Sequence, residues 1–304
     1  MTQLLNALPG ALAQGLIWGV MAIGVYITYK VLDIADLTVD GSSCTGAAVC
    51  TMLLLGGQSP WLALLCAVLA GVLAGTVTGL LHVGLGIPPI LAGILTQMVL
   101  WSVNLKLLGK ANQALPARTT PVLLSQMDVG GALPVLLGFC VVLVALLVLF
   151  FGTELGCALR ATGCNPVMSR AQGVNTGLMK VVGLALSNGV VALSGALLCQ
   201  YQGYTDVNMG RGAVVIGLAA VVIGQAVLGR RGGRMAVQLG GVILGAVIYY
   251  IVYQVIIFAG FDTDLLKMFS AVVVAVFLGA PHVKAQLKAH SRSKKGDSGH
   301  AENE

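Results

Sequence analysis

Charged and hydrogen-bonding side chains are scarce in this chain, so the few that cluster carry most of the information. One polar stretch, residues 33–43, reads Asp-Ile-Ala-Asp-Leu-Thr-Val-Asp-Gly-Ser-Ser and holds Asp33, Asp36 and Asp40. A second, residues 205–212, reads Thr-Asp-Val-Asn-Met-Gly-Arg-Gly and holds Asn208 and Arg211. A third, residues 153–177, holds Glu154, Arg160, Arg170 and several Asn and Gly residues. Such groups beside glycine can hold a polar solute or a partner surface. They do not form a catalytic set: no Ser–His pair, His-Glu-x-x-His or paired-Asp motif falls within an apolar run. No Gly-x-x-x-x-Gly-Lys-Ser/Thr loop is present, so the chain has no phosphate cradle for ATP. The seven cysteines include no Cys-x-x-Cys pair, and no His stands near Cys157 or Cys164 to complete a metal set. The expectation is a non-catalytic chain with no metal and no cofactor of its own.

The elements that must position these groups are membrane helices. The chain is 57% hydrophobic and 9% charged, with mean hydropathy +0.93. A soluble domain is about one-quarter charged, and no water-soluble fold of this size hides so much apolar surface. Runs of about 20 apolar residues suffice to cross a bilayer. Nine are found, at residues 9–29, 39–56, 60–82, 88–108, 132–152, 180–201, 212–229, 235–258 and 264–280. Backbone groups in lipid must bond internally, which selects helices, and the alternation of a transmembrane barrel is absent. The predicted fold is an all-α, polytopic integral membrane bundle of about nine to ten transmembrane helices. It comprises a transmembrane domain over residues 1–281 and a polar, disordered tail over 282–304. The first run has neither basic residues before it nor an Ala-x-Ala cleavage pattern after it, so it is read as a retained helix.

The net charge of +6 is not read as a nucleic-acid signal, because basic residues sit at the ends of apolar runs. With the C-terminal tail inside the cell, nine spans put the N-terminus outside. Twelve Lys and Arg then fall inside and five outside, the asymmetry that cytoplasmic loops carry. The first two polar stretches lie about 170 residues apart and enter from opposite faces of the membrane. Both contain glycine and lead into helices of small and β-branched residues, the pattern of an inverted repeat with broken helices. Asp40, Gly41, Ser42, Asn208 and Arg211, with Gln97 and Asn104 inside the fourth span, are therefore the candidates for a solute pathway. Gly71, Gly75 and Gly79 form a small-x-x-x-small stripe that packs helices closely.

The stretch 153–179 is the longest cytoplasmic loop of this map. Asn165-Pro166 starts a helix, Asn as cap and Pro in the first turn. Residues 167–172 give about two turns, and Gly173 ends them. Glu154 is placed at the membrane edge to pair with Arg160. A short surface helix on such a loop is a docking element.

These residues resemble a known family. Leu-Arg-Ala-Thr-Gly-x-Asn-Pro at 159–166, followed by Ala-x-Gly-Val-Asn at 171–175, resembles the cytoplasmic coupling segment of ABC-transporter permeases of the branched-chain amino acid and ribose group. The segment 35–42, Gly-Lys-Ala-Asn at 109–112 and the stretch 203–225 extend the resemblance, which covers about residues 10–280. It implies the membrane subunit of an importer for a small organic solute such as an amino acid, aromatic in some members. Two such subunits pair with each other, and homodimers are the expectation. Separate cytoplasmic ATPase chains carry ATP and Mg, and an external binding protein delivers the solute. The resemblance places Glu154, Arg160, Gly163, Asn165, Pro166, Arg170, Gly173 and Asn175 at the ATPase contact. The rival reading of the same residues is an ion-gradient-driven secondary transporter that works without an ATPase, which an inverted repeat also fits.

Overall fold

The computed structural model describes residues 2–116, 120–228 and 234–258, together with positions 268, 272 and 275. The ninth predicted span and the 282–304 tail lie outside the described residues, those single positions apart. Ten α-helices are described: α1 (Thr2–Tyr26), α2 (Thr38–Leu55), α3 (Pro60–Gly84), α4 (Pro89–Leu108), α5 (Val129–Gly152), α6 (Glu154–Cys164), α7 (Pro166–Ala171), α8 (Thr176–Gln202), α9 (Ala213–Leu228) and α10 (Met235–Phe258). A π-helical turn, Ile27–Val31, continues α1. Seven of these helices are long and apolar enough to cross a membrane, and α9 is a shorter apolar helix. They match the first eight predicted spans to within a few residues.

Two departures stand out. Residues 154–164, read as loop, form α6, whose mixed composition hides its helicity. The all-helical expectation also omits a small antiparallel pair, β1 (Asn112–Ala114) with β2 (Tyr204–Asp206), in register Gln113 opposite Thr205.

α1, α2 and α8 lie at the centre and are buried along most of their length. α3, α4, α5 and α10 surround them and turn apolar side chains outward, among them Leu65, Leu73, Leu146 and Leu149. In lipid such a face needs no cover, so the driving force between helices is close packing and polar bonding rather than burial from water. The stripe on α3 works this way. A Cβ on Gly71, Gly75 or Gly79 would run into the α8 backbone at Asn188, Leu184 and Val181 respectively. Hydroxyls add interhelical bonds: Ser187 Oγ donates to Gly24 O at 2.8 Å and Ser194 Oγ to Ile17 O at 2.7 Å, tying α8 to α1. Gln200, a polar residue inside a predicted span, is taken up in packing. Its Oε1 accepts Leu123 N–H at 3.0 Å and its Nε2 donates to Cys50 Sγ at 3.4 Å.

Candidate functional site

Both polar stretches run inside the bundle and meet. After the π turn, residues 33–37 carry no regular structure, and α2 begins only at Thr38. Its start lies deep. Asp36 Oδ2 accepts Asn188 Nδ2–H at 2.7 Å, and Asn188 sits twelve residues into α8, about 18 Å from its end at 1.5 Å per residue. Asp36 Oδ1 accepts the N–H of Thr38 at 2.8 Å, placing a carboxylate at the positive end of α2. Asn188 also accepts Ser42 Oγ–H at 2.6 Å, and Thr38, Thr78 and Thr96 are linked by two hydroxyl bonds of 2.9 Å. This buried network joins the start of α2 to α3, α4 and α8.

From the other side, the stretch from β2 onward follows α2 in the reverse direction. Thr205 bonds Thr51 at 2.6 Å, Val207 O accepts Cys44 Sγ–H at 3.2 Å, and Gly210 N–H donates to Cys44 Sγ at 3.1 Å. α9 then starts beside Asp40, whose Oδ2 accepts Gly212 N–H and Oδ1 accepts Val214 N–H, each at 3.0 Å. Asp40 thus caps the first turn of a helix some 170 residues away in sequence, satisfying N–H groups that α9 cannot satisfy itself. The two interrupted helices, α2 and α9, are joined start to start through this carboxylate.

A cavity of about 600 Å³ opens beside the junction, between α2, α4 and residues 207–211. Of the seven candidate pathway residues, Asp40, Gly41, Gln97, Asn104 and Arg211 line it. Ser42 and Asn208 do not: Ser42 is one helical step round α2 and faces Asn188, and Asn208 is exposed on the loop. Met98 and Trp101 add apolar surface, and both are partly exposed on the outer face of α4. The Arg211 side chain makes no hydrogen bond or ion pair with any described residue. Asn104 is 1% exposed, and both of its amide atoms lack a hydrogen-bond partner among the described residues. An orphaned buried polar group costs about 1–3 kcal/mol. Asn188 escapes the sequence reading, because one Asn inside an apolar helix has no spacing signal; Asp36 belongs to the first polar stretch but is not among the pathway candidates.

At the end of the bundle where α8 starts, α6 and α7 form an elbow. Thr153 caps α6 by accepting Gly156 N–H at 3.3 Å, Asn165 caps α7 by accepting Met168 N–H at 3.0 Å, and Asn175 caps α8 by accepting Leu178 N–H at 3.1 Å. Pro166 occupies the first turn of α7, and Gly173, at φ +83°, follows its end. Arg170 donates to Thr176 Oγ1 at 3.1 Å across the corner. Gly163 is packed against Val31 O and Leu32, where no Cβ fits, and so docks α6 on the π turn of α1. The expected Glu154–Arg160 pair is not formed; Arg160 instead donates to Cys157 Sγ at 3.3 Å, one turn away. Most of the eight coupling candidates therefore shape the elbow. Among the side chains it presents outward are the apolar Val167 and Met168, 79% and 61% exposed, which an apolar pair inside a short helix did not announce. His82, at the end of α3 beside this region, donates through Nδ1 to Ile87 O at 2.8 Å and receives Lys180 Nζ at 3.4 Å.

Known proteins place this arrangement. The family profile for the branched-chain amino acid transport system permease component matches residues 8–280. A tyrosine transport system permease protein of Clostridioides difficile is 37% identical over 93% of this chain and 94% of its own length. An uncharacterised protein of Rickettsia prowazekii is 33% identical over 91% and 98%. An autoinducer 2 import system permease protein of Escherichia coli is 31% identical over 67% of this chain and 60% of its own. No solved structure matches the chain with significance.

Proposed function

The chain belongs to the family of branched-chain amino acid transport system permease components, and on that premise we propose that it is the membrane subunit of an ATP-driven importer for an amino acid of the aromatic class. It is a multi-pass membrane protein, and two of the relatives above are named as transport or import system permeases. In this reading ATP and Mg bind a separate cytoplasmic ATPase, an external binding protein delivers the solute, and a second copy of the chain completes the pathway.

The observation that carries the reading is the α6–α7 elbow. Its caps are satisfied and its glycine is locked against α1, yet Val167 and Met168 point away from the bundle. A rigid corner with an uncovered apolar tip suits a partner that pushes on it. Movement there reaches the π turn through Gly163, then residues 33–37 and the start of α2 beside the cavity. The positive charges support the elbow end as cytoplasmic.

The cavity supports the solute class. The Arg211 guanidinium suits a carboxylate, and Trp101 and Met98 suit an apolar or aromatic side chain. The 37% identical relative named for tyrosine transport points the same way. The cavity lies open along the outer face of α4, and Gln97, Ser102 and Arg211 facing lipid would be costly. A second copy placed there removes the cost.

The interrupted helices also fit a self-sufficient secondary transporter. The separating experiment is affinity purification of the tagged chain from its host membranes. The expected result is a co-purifying ATPase, lost when Val167→Lys and Met168→Glu are combined while insertion and monodispersity are kept. A well-folded chain that brings down no ATPase defeats the importer reading.

A further inference from the structure

Among the described residues that line the cavity, Asn104 is the buried polar side chain that the fold leaves without a partner. Asn208 is exposed and Ser42 is bonded, as is Asp40. Asn104 is 1% exposed, and its carbonyl and its amino group both lack a partner among the described residues. It lies one helical turn beyond Trp101 on α4, and both line the cavity. Its nearer packing is apolar: Leu108 follows at the next turn and joins Ala48 and Val207 in a buried cluster. An Asn held like this, with two donors and an acceptor oxygen, is fitted to a neutral group that both donates and accepts. A charged end would better match Arg211 or Asp40, and a purely apolar end would leave the amide orphaned.

We propose that Asn104 is a specificity-determining residue that hydrogen-bonds a hydroxyl carried on the aromatic side chain of the solute, with Trp101 against the ring. The inference rests on the solute-path reading above and refines it to phenolic over plain phenyl side chains. Sites that hydrogen-bond a substrate hydroxyl reject the analogue lacking it by up to roughly four to five orders of magnitude, because their own polar groups are then stranded.

The test is uptake of radiolabelled L-tyrosine and L-phenylalanine by cells carrying the complete transport system as their sole route for both. Each rate for Asn104→Leu is divided by the wild-type rate for the same solute, which cancels any preference of the binding protein. The expected result is a tyrosine ratio at least tenfold below the phenylalanine ratio. Equal ratios, or a wild type that takes up neither solute, overturn the inference. Should the leucine variant fail to reach the membrane, Asn104→Ser is measured in the same way, with the same criterion. Arg211→Gln separates this failure from failure of the underlying reading. If it lowers uptake of both solutes while the Asn104 ratios stay equal, the cavity is the path and only the assignment of Asn104 falls. If neither variant alters either rate, the cavity is not the path.

Discussion

Replacing Asp40 with Ala should release the start of α9 from α2. Two backbone N–H groups, of Gly212 and Val214, bond this one carboxylate at 3.0 Å each. Hydrogen bonds to a charged group contribute about 1.5–3 kcal/mol each, and loss of a helix cap costs about 0.5–2 kcal/mol. Gly212 is exposed, so water replaces part of its bond, whereas Val214 is half-buried. The net cost is then about 2–3 kcal/mol for Asp40→Ala, and about half for Asp40→Asn, which keeps one acceptor. Every 1.4 kcal/mol is tenfold, so local opening becomes roughly 30- to 140-fold more frequent. Cys44 reports this directly. It is 4% exposed and bonded to Gly210, so it reacts with a thiol reagent only when the 207–212 stretch lifts. Peptide mapping by mass spectrometry separates it from Cys157 and Cys164, which are exposed in the closed form. The predicted order of Cys44 labelling rates is Ala, then Asn, then the unmodified chain. Equal rates in all three would refute the capping argument.

Three further outcomes follow from the same contacts. Gly163→Val forces a side chain into Val31 O, so the elbow should leave the π turn; limited proteolysis within 153–175 should accelerate at least tenfold while α8 and α10 stay protected. Asn188→Leu takes one of two partners from Asp36 and the partner of Ser42 Oγ in the bundle and should cost about 3 kcal/mol, seen as a clear drop in the melting temperature of the detergent-solubilised protein. Thr205→Val breaks the buried 2.6 Å bond to Thr51 at little change in volume; its cost should be about 1–2 kcal/mol by the same melt, and Thr51→Val added to it should cost little more.

The spans were readable because a bilayer demands long apolar runs, and residues 60–84 or 235–258 have nothing to interrupt them. The α7 helix was readable for a different reason: Asn165, Pro166 and Gly173 each have a local backbone preference that needs no tertiary context. α6 was not, since Gly156 and Gly163 interrupt it and Leu155 and Leu159 are its only large apolar residues. The broken helices could be located from polar residues beside glycine, but their joining could not. Asp40 meets its partners 172 and 174 positions along the chain, and Asp36 meets Asn188 at a separation of 152. Only packing brings such pairs together. Asn104 illustrates the limit most sharply. In sequence it is a polar residue within a span, equally suited to an interhelical bond or to a ligand. Burial without a partner separates the two.

The most direct test of the account is uptake by proteoliposomes that contain the chain with its ATPase, the binding protein supplied outside and L-tyrosine as the probe. The account predicts uptake that requires enclosed hydrolysable ATP, stops when the ATPase is omitted, and persists when ionophores collapse every ion gradient. Uptake by the chain alone, driven by an imposed ion gradient and indifferent to ATP, would contradict it.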